Sequence, residues 1–319
     1  MNMKTVYLNK FMSSVVAELE MNGQYGTAHV CGSVLRSVMA FGGEGLPVSG
    51  ITPLWLKAYE GYLLHKGGKG LAWNTVSTYM RMLQAVYNRA VVRKLAAFIP
   101  HQFRDVFTGR KADHRRVLER DDMQKLLVER DPDITSPGMA WARACLELMF
   151  RFHGMPFVDL AHLRKSDLKD GYLTLRRRKT GMPLSARVDG RAMQLLERYR
   201  NRDDTSPYLL CFLDGNLEGM AAYRDYQRIL RLLNSRLRAL ALWKKVQGKV
   251  TSYSARHTWA TVGRYCHIPI EVISEGLGHA SVTTTEGYMK GFGNSRMDRA
   301  NKVIMNYIFK GLSNAVDKW

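Results

Sequence analysis

Helical periodicity governs nearly the whole of this 319-residue chain, and one segment alone departs from it. The segment 9–23, NKFMSSVVAELEMNG, carries apolar residues at the spacing of one helix face, namely Phe11, Val15, Val16 and Leu19. Three further segments before residue 100 follow the same pattern, and one begins with Thr52 and Pro53, residue types that favour the first turn of a helix. The first third of the chain is therefore predicted to be a compact domain of four helices.

The exception is GYLTLRRRKTGMPLSARV, residues 171–188, in which apolar and polar residues alternate. Alternation is typical of strands, and the Thr180-Gly181 pair in its middle indicates a turn. Segments before and after it return to helical spacing. The sequence thus predicts a mainly α fold with one small β-hairpin, divided into a helical domain at 1–108, a basic linker at 109–117 and a second domain at 118–319.

Charge restricts the choice of partner. The chain has 48 lysines and arginines against 28 acidic residues, a net charge of +20, and the excess occurs in both predicted domains. A cationic surface of this extent favours a polyanionic partner, with DNA or RNA as the first candidate. A basic protein that is merely soluble is the alternative on composition alone.

Other classes of protein are not indicated. No apolar run approaches the roughly 20 residues of a membrane helix, and the first residues lack the apolar core of a signal peptide. The four cysteines are isolated from one another and indicate neither a disulfide framework nor a zinc site: Cys31, Cys145, Cys211 and Cys266. We therefore expect a protein of the cytoplasm with no membrane partner.

Two groups of cations are candidates for contacts with a phosphate backbone. The linker contains Arg110, Lys111, Arg115 and Arg116, which either bind DNA or belong to an ordinary solvated loop. A predicted helix farther along carries arginines mostly on one side, at positions 224, 228, 231, 236 and 238. Basic and aromatic residues interleaved in this way suit phosphate contacts and reading of the DNA grooves.

Three segments carry groups suited to phosphoryl transfer. RRRKTG brings Lys179 to the hairpin turn, and SYSARHTWAT starts a helix with Arg256 in its first turn. LGHASVTTTEGY contains His279 and, nine residues later, Tyr288. Arginine, lysine and histidine stabilise a phosphoryl transition state, and a tyrosine hydroxyl is a competent nucleophile. Because no carboxylate cluster accompanies them, the sequence predicts covalent phosphoryl transfer with no metal and no cofactor.

These segments resemble the tyrosine recombinases, also called phage-type integrases. That family has a hairpin lysine before Thr-Gly, an H-x-x-R motif opening a helix, and a Leu-Gly-His histidine nine residues before the nucleophilic tyrosine. The resemblance covers nearly the whole chain and implies a core-binding, SAM-like helical domain followed by a catalytic domain. It implies that Tyr288 is the nucleophile, that Arg256 and His279 bind the phosphate, and that Lys179 is the general acid. The cations preceding this lysine are predicted to bind DNA: Arg176, Arg177 and Arg178.

The chain departs from the family pattern at two positions. Pro156 stands where the family has its first catalytic arginine, in FHGMPFVDLAHLR, and Tyr253 replaces the first histidine of H-x-x-R. Tyr253 retains a hydroxyl that can bind the phosphate. Arg143 or Arg151 is our candidate for the missing arginine, because the two lie eight residues apart and share one face of a predicted helix.

The resemblance implies a site-specific recombinase, of the integrase or invertase type, that serves a mobile genetic element. Its partner would be double-stranded DNA, on which four copies assemble, and its intermediate a 3′-phosphotyrosyl link formed without metal or ATP. The two altered positions leave an alternative: a catalytically silent, sequence-specific DNA-binding protein on a recombinase scaffold. Whether the outcome is integration, excision or inversion does not follow from these residues.

Overall fold

The computed structural model of the chain describes residues 5–111, 117–127, 136–279 and 281–286. Backbone contacts group the chain into two compact units. The first combines the chain up to residue 113 with 200–231, and the second combines 114–199 with the chain from 232 onward. The segment 200–231, which the sequence assigns to the second domain, thus groups with the first unit.

The first unit contains the four helices that the sequence predicts. Their bounds are α1 Leu8–Met21, α2 Tyr25–Gly42, α3 Pro53–His65 and α4 Trp73–Val92. The start of α3 is fixed as expected, because the Thr52 hydroxyl accepts a hydrogen bond of 3.2 Å from the Trp55 amide. The helices bury one apolar face each, with Met12, Val34, Leu56 and Met80 fully enclosed.

The remaining elements follow in chain order. They are α5 Arg120–Leu127, α6 Pro137–Arg151, α7 Phe157–Ala161, β1 Leu168–Lys169, β2 Tyr172–Arg176, β3 Pro183–Arg187, α8 Gly190–Arg198, α9 Gly219–Trp243, α10 Ser252–Tyr265, α11 Ile270–Leu277 and α12 Val282–Glu286. The mainly helical fold with one small sheet is therefore confirmed. Helix α6 is buried over most of its length, which explains its nearly continuous apolar sequence.

The predicted hairpin is formed by β2 and β3, which are antiparallel, and the short β1 adds a third strand beside β2. The pairing ends at Arg176 and Pro183. Beyond that pair, the Arg177 amide donates to the Met182 carbonyl at 2.9 Å, and the Gly181 amide donates to the Arg177 carbonyl at 2.8 Å. The amide and the carbonyl of Arg177 thus both form hydrogen bonds that close the loop.

Helix α9 separates apolar from cationic residues. Ile229, Leu233, Leu237 and Leu240 are buried, at the spacing of one helix face. The arginines that the sequence singles out on this helix are all exposed: Arg224, Arg228, Arg231, Arg236 and Arg238. No helix among the described residues has the length and apolar character needed to cross a membrane.

The start of the predicted linker is attached to α4. The Asn74 side chain accepts from the Lys111 amide and donates to the Lys111 carbonyl, both at 2.8 Å. One turn farther along, the Ser77 hydroxyl donates to the Gly109 carbonyl at 2.6 Å. Residues 109–111 therefore belong to the surface of the first unit.

Candidate active site

A cavity of about 130 Å³ in the second unit brings together four of the five predicted catalytic residues: Lys179, Tyr253, Arg256 and His279. Its walls come from the start of α7, the hairpin loop, the first turn of α10, the end of α11 and α12. The segments of sequence that carry the predicted chemistry are thus adjacent in the fold. How each side chain is held determines what the cavity can bind.

Arg256 lies in the first turn of α10, which starts with a capping box between Thr251 and Ser254. The Arg256 guanidinium is 4% exposed and donates to the Gly154 carbonyl at 3.0 Å and to the Leu277 carbonyl at 2.7 Å. Gly154 has a φ of +66°, and a Cβ there would lie 2.9 Å from the Cα of Arg256. Glycine is needed at 154 for this close approach.

His279 is positioned by the end of α11. Gly278 takes the left-handed conformation, its amide donates to the Glu275 carbonyl at 2.7 Å, and the His279 amide donates to the Ser274 carbonyl at 3.0 Å. These two hydrogen bonds form a Schellman motif, which ends a helix in a defined direction. The Leu-Gly-His segment therefore fixes the backbone position of His279, from which the imidazole extends.

The contacts of His279 assign its protonation state. Nε2 lies 2.8 Å from Nη2 of Arg256, which can only donate, so Nε2 accepts. Nδ1 lies 2.8 Å from the hydroxyl of Thr285 and carries the ring proton. The pKa of His279 is lowered to about 4, first by burial and then by the charges of the neighbouring arginines and Lys179. The ring is therefore neutral at pH 7.

Lys179 and Tyr253 complete one side of the cavity. Lys179 lies in the hairpin loop, is exposed, and is close enough to lower the pKa of His279. Tyr253 lies one turn before Arg256, is 42% exposed, and has its ring 6.3 Å from the ring of His257. Both residues remain accessible to a ligand that enters the cavity.

Arg177 also lines this cavity, although the sequence analysis assigns it to the DNA-binding surface. Its side chain is 4% exposed, whereas Arg176 and Arg178 on either side are exposed. Its guanidinium donates to the Leu277 carbonyl. Strand alternation could have revealed this placement, because Arg177 is in phase with Leu173 and Leu175 on the inner face of β2.

Asp159 orients Arg177 within the cavity. One carboxylate oxygen of Asp159 lies 3.4 Å from Nη1 of Arg177, and the other accepts from the Arg178 amide at 3.0 Å. Asp159 is 3% exposed, and a buried ion pair is held in place when further hydrogen bonds satisfy it. The sequence assigns no role to Asp159, whereas the fold makes it the partner of an arginine.

Arg143 and Arg151, our candidates for the missing arginine, both lie on α6. The Arg151 guanidinium bonds to Glu147 at 2.9 Å and to Asp189 at 2.6 Å, so it is bound at the end of α6. Arg143 is buried on α6 and is absent from the described walls of the cavity. A role for either residue at the phosphate stays a prediction.

The remaining predicted DNA-binding residues lie on the surface or outside the described residues. Arg176, Arg178 and Arg110 are exposed. The Lys111 ammonium lies 4.4 Å from the centre of the Trp73 ring, in a cation-π contact. Three predicted residues fall outside the part of the chain that the structure describes: Arg115, Arg116 and Tyr288.

Together the cavity residues can bind one anionic group and move protons beside it. Arginines supply fixed positive charge and paired donors, Lys179 supplies a transferable proton, and neutral His279 supplies a lone pair. Among the described residues, no three histidine, cysteine or acidic side chains are grouped as a metal site would require. The fold and the site define a class of protein: a mainly helical protein whose second unit holds a cavity lined by cationic side chains.

The chain belongs to the phage integrase family, whose family model matches residues 116–292. The model of the phage integrase SAM-like domain matches residues 7–104. The family that the sequence motifs indicate is therefore confirmed, and so is the SAM-like class of the N-terminal helices.

Two relatives illustrate the similarity in sequence. The tyrosine recombinase XerA of Pyrococcus furiosus is 29% identical over 140 residues, which are 43% of this chain and 46% of that protein. The putative integrase/recombinase y4gC of Sinorhizobium fredii is 27% identical over 180 residues, which are 54% of this chain and 88% of that protein. The match thus spans less than half of XerA.

Solved structures share the fold over most of the chain at low sequence identity. The Tn1549 transposon integrase in complex with transposon right end DNA has a TM-score of 0.63 at 15% identity, covering 93% of this chain and 98% of that one. A lambda integrase tetramer bound to a Holliday junction has a TM-score of 0.58 at 16% identity, covering 90% and 78%. At these identities the likeness concerns the fold.

Proposed function

We propose that this protein is a site-specific DNA recombinase that cuts and rejoins DNA strands through a covalent 3′-phosphotyrosyl intermediate. The observation that carries the proposal is the convergence of Arg256, His279 and Lys179 on one cavity of the second unit. These groups come from three separate elements, and together they suit a phosphodiester and the protons that move around it. The position of Tyr288, nine residues after His279, supports it as the nucleophile.

In the first step the hydroxyl oxygen of Tyr288 forms a bond to the scissile phosphorus while the bond to the 5′ oxygen breaks. Nη2 of Arg256 turns from Nε2 of His279 to the phosphate, which frees the Nε2 lone pair. Tyr288 gives its proton to Nε2, and Lys179 gives a proton to the departing 5′ oxygen. The products are a phosphotyrosyl ester at the 3′ end and a free 5′ hydroxyl. Entry of the negatively charged phosphate raises the pKa of His279, which prepares it to accept the proton.

Rejoining reverses these steps. A 5′ hydroxyl from the partner duplex attacks the phosphotyrosyl ester and returns its proton to Lys179, while His279 returns a proton to the tyrosine oxygen. The ester retains the free energy of the phosphodiester, so the cycle consumes no ATP. The positive charge that stabilises the phosphate comes from side chains, so the proposal requires no metal ion.

Arg256 and Tyr253 act on the phosphate itself. Arg256 is held from behind by two backbone carbonyls, which orients its guanidinium before the DNA arrives. Tyr253 presents a hydroxyl in place of the family's histidine and donates to a non-bridging oxygen.

Double-stranded DNA is the proposed partner, with four copies of the chain at the point of strand exchange. The net charge of +20 and the exposed arginines of α9 support binding to a polyanion. The lambda integrase tetramer on a Holliday junction offers a precedent for the assembly. We place this action on DNA of the cytoplasm, in association with the nucleoid.

The proposal is tested by trapping the covalent intermediate. The protein is mixed with nicked duplexes drawn from the DNA on either side of its own gene, and adducts are separated on a denaturing gel. The nick lets the short 5′ product diffuse away, so the phosphotyrosyl link accumulates. We expect an adduct with the natural protein and none with Tyr288→Phe.

Tyr172→Phe is the matched control, since it removes a hydroxyl from a tyrosine that is 48% exposed on β2. It should form the adduct at the normal rate. DNA binding without any adduct, for all flanking sequences, would instead support the alternative of a catalytically silent DNA-binding protein.

A further inference from the structure

We propose that Arg177 is a second catalytic arginine of the cleavage reaction, binding the scissile phosphate where Pro156 leaves the family's first arginine missing. The inference rests on the proposed function and adds one residue to its phosphate site. Pro156 and Arg177 line the same cavity, so the cation is supplied by the hairpin loop instead of by α7. Arg177 thereby differs from Arg176 and Arg178, which remain candidates for contacts with the DNA surface.

The backbone of the hairpin loop holds Arg177 at the cavity. Its amide and its carbonyl both take part in hydrogen bonds across the loop, with Met182 and Gly181. Its side chain follows Leu173 and Leu175 on the inner face of β2. The guanidinium is therefore directed inward by strand geometry, while the residues on either side of it point outward.

Arg177 occupies an environment equivalent to that of Arg256. Each side chain is 4% exposed, each donates to the carbonyl of Leu277, and each lines the cavity. Each also contributes positive charge that lowers the pKa of His279. Two guanidiniums that donate to the same carbonyl oxygen are close enough to bind two oxygens of a single phosphate.

Asp159 links the replacement to the vacant position. It lies three residues after Pro156, and its carboxylate pairs with Nη1 of Arg177. The start of α7, where the family pattern places an arginine, here carries an acceptor that orients an arginine from elsewhere. Gly278 adjoins the same guanidinium, because a Cβ at 278 would lie 2.8 Å from Nε of Arg177.

The charge of the cavity agrees with this role. The described walls contain Arg177, Arg256 and Lys179 against the single carboxylate of Asp159, and His279 is neutral. Two net positive charges therefore surround the site, which matches the two negative charges of a phosphoryl transition state. Without Arg177, its partner Asp159 would leave the cavity with one net positive charge.

The test compares cleavage of two nicked duplexes that differ only at the scissile group. One carries the natural phosphate, and the other carries a neutral methylphosphonate, whose transition state has one negative charge fewer. We expect Arg177→Ala to slow cleavage of the phosphate about 10²- to 10³-fold, with DNA affinity nearly unchanged. On the methylphosphonate the loss of cleavage rate caused by Arg177→Ala should be smaller by about tenfold or more, because the charge that Arg177 neutralises is absent.

Arg187→Ala is the matched control, since it removes the same charge from an exposed position of β3. It should affect both substrates alike and only slightly. Equal deficits of Arg177→Ala on the two substrates, or a normal rate on both, would overturn the assignment. If the natural protein forms no adduct with either substrate, the proposed function fails, and the role of Arg177 fails with it.

A second variant covers the case in which Arg177→Ala does not fold, as judged by circular dichroism. Arg177→Lys retains the positive charge and most of the buried volume but cannot span two acceptors. It should cleave the phosphate more slowly than the natural protein, by about tenfold, and recover part of that loss on the methylphosphonate. Identical ratios on the two substrates would contradict the role of Arg177 here as well.

Discussion

Arg177 and Arg256 donate hydrogen bonds to the same oxygen, the main-chain carbonyl of Leu277. Two guanidiniums so close repel each other, and the repulsion must be offset. Leu277 is the last residue of α11, where the helix dipole places partial negative charge, and Asp159 adds a full negative charge beside Arg177. The end of one short helix thus holds both arginines at the cavity.

Gly278→Ala should displace Arg177. The new Cβ would lie 2.8 Å from Nε of Arg177 and would also impose a left-handed backbone on alanine, at a cost of about 1–2 kcal/mol. Gly171→Ala, at a φ of +76° with open space around it, carries the backbone cost alone. We expect both variants to lose thermal stability and only Gly278→Ala to lose strand cleavage, by about tenfold or more.

The comparison of the two glycine variants is read from melting curves and adduct yields under the same conditions. Normal cleavage by Gly278→Ala, at a temperature where it is folded, would show that the position of Arg177 does not matter.

Asp159→Asn should slow cleavage while leaving DNA affinity nearly intact. The amide keeps the size of the side chain but loses the charge that orients Arg177, so the guanidinium is held less firmly at the cavity. Its effect should be smaller than that of Arg177→Ala, and the double variant should resemble Arg177→Ala alone. Asp122→Asn, which breaks an exposed pair with Lys125, is the control.

This prediction is measured as single-turnover cleavage rates of the two single variants and the double variant. Independent, multiplicative losses in the double variant would mean that Asp159 acts on something other than Arg177.

Thr285→Val should remove the hydrogen-bond acceptor of the ring proton on His279. The Thr285 hydroxyl accepts from Nδ1, and a methyl group in its place leaves that N–H buried without its partner, which costs about 1–3 kcal/mol. Thr283→Val makes the same substitution at an exposed position of α12 and should be neutral. We expect slower cleavage and a changed pH–rate profile for Thr285→Val alone.

The stability of the protein should fall as the pH is lowered from 6.5 toward 4. Folding lowers the pKa of His279 from 6.5 to about 4, so in this range the unfolded chain binds a proton that the folded protein excludes. The stabilising contribution is complete above pH 6.5 and is lost as the pH falls through 4. His162, whose pKa is lowered to about 4 by burial, acts in the same direction.

Denaturant unfolding at pH 7 and pH 5 measures this effect. His279→Gln should lose less stability between the two values than the natural protein does, because the contribution of one of the histidines with a lowered pKa has been removed. An unchanged difference would show that His279 titrates normally in the folded state.

Asn74→Ala should release residues 109–111 from α4. The variant removes both hydrogen bonds to Lys111, each worth about 1 kcal/mol, and so favours local opening. The Lys111 amide, which donates to Asn74, should then exchange its hydrogen about tenfold faster or more. Asn88→Ala, at an exposed position of the same helix, should leave that exchange rate unchanged.

The helices and the hairpin were predictable because their causes are local. Apolar spacing, the Thr52 cap and the alternation of β2 and β3 act within a few residues, and the observed elements follow them. The hairpin lysine and the Leu-Gly-His turn were recognisable for the same reason, since each is a short motif with its own backbone requirement.

Which arginines lie at the cavity depends on tertiary contacts. Arg177 is 100 residues from Leu277, and Arg256 is 102 residues from Gly154, so no local pattern links them. The helix face shared by Arg143 and Arg151 is a local property, whereas the direction of that face is set by packing. Charge and motif thus indicated a phosphate site from the residues alone, and only the folded arrangement brought Arg177 to the cavity, because burial and shared acceptors arise when distant segments meet.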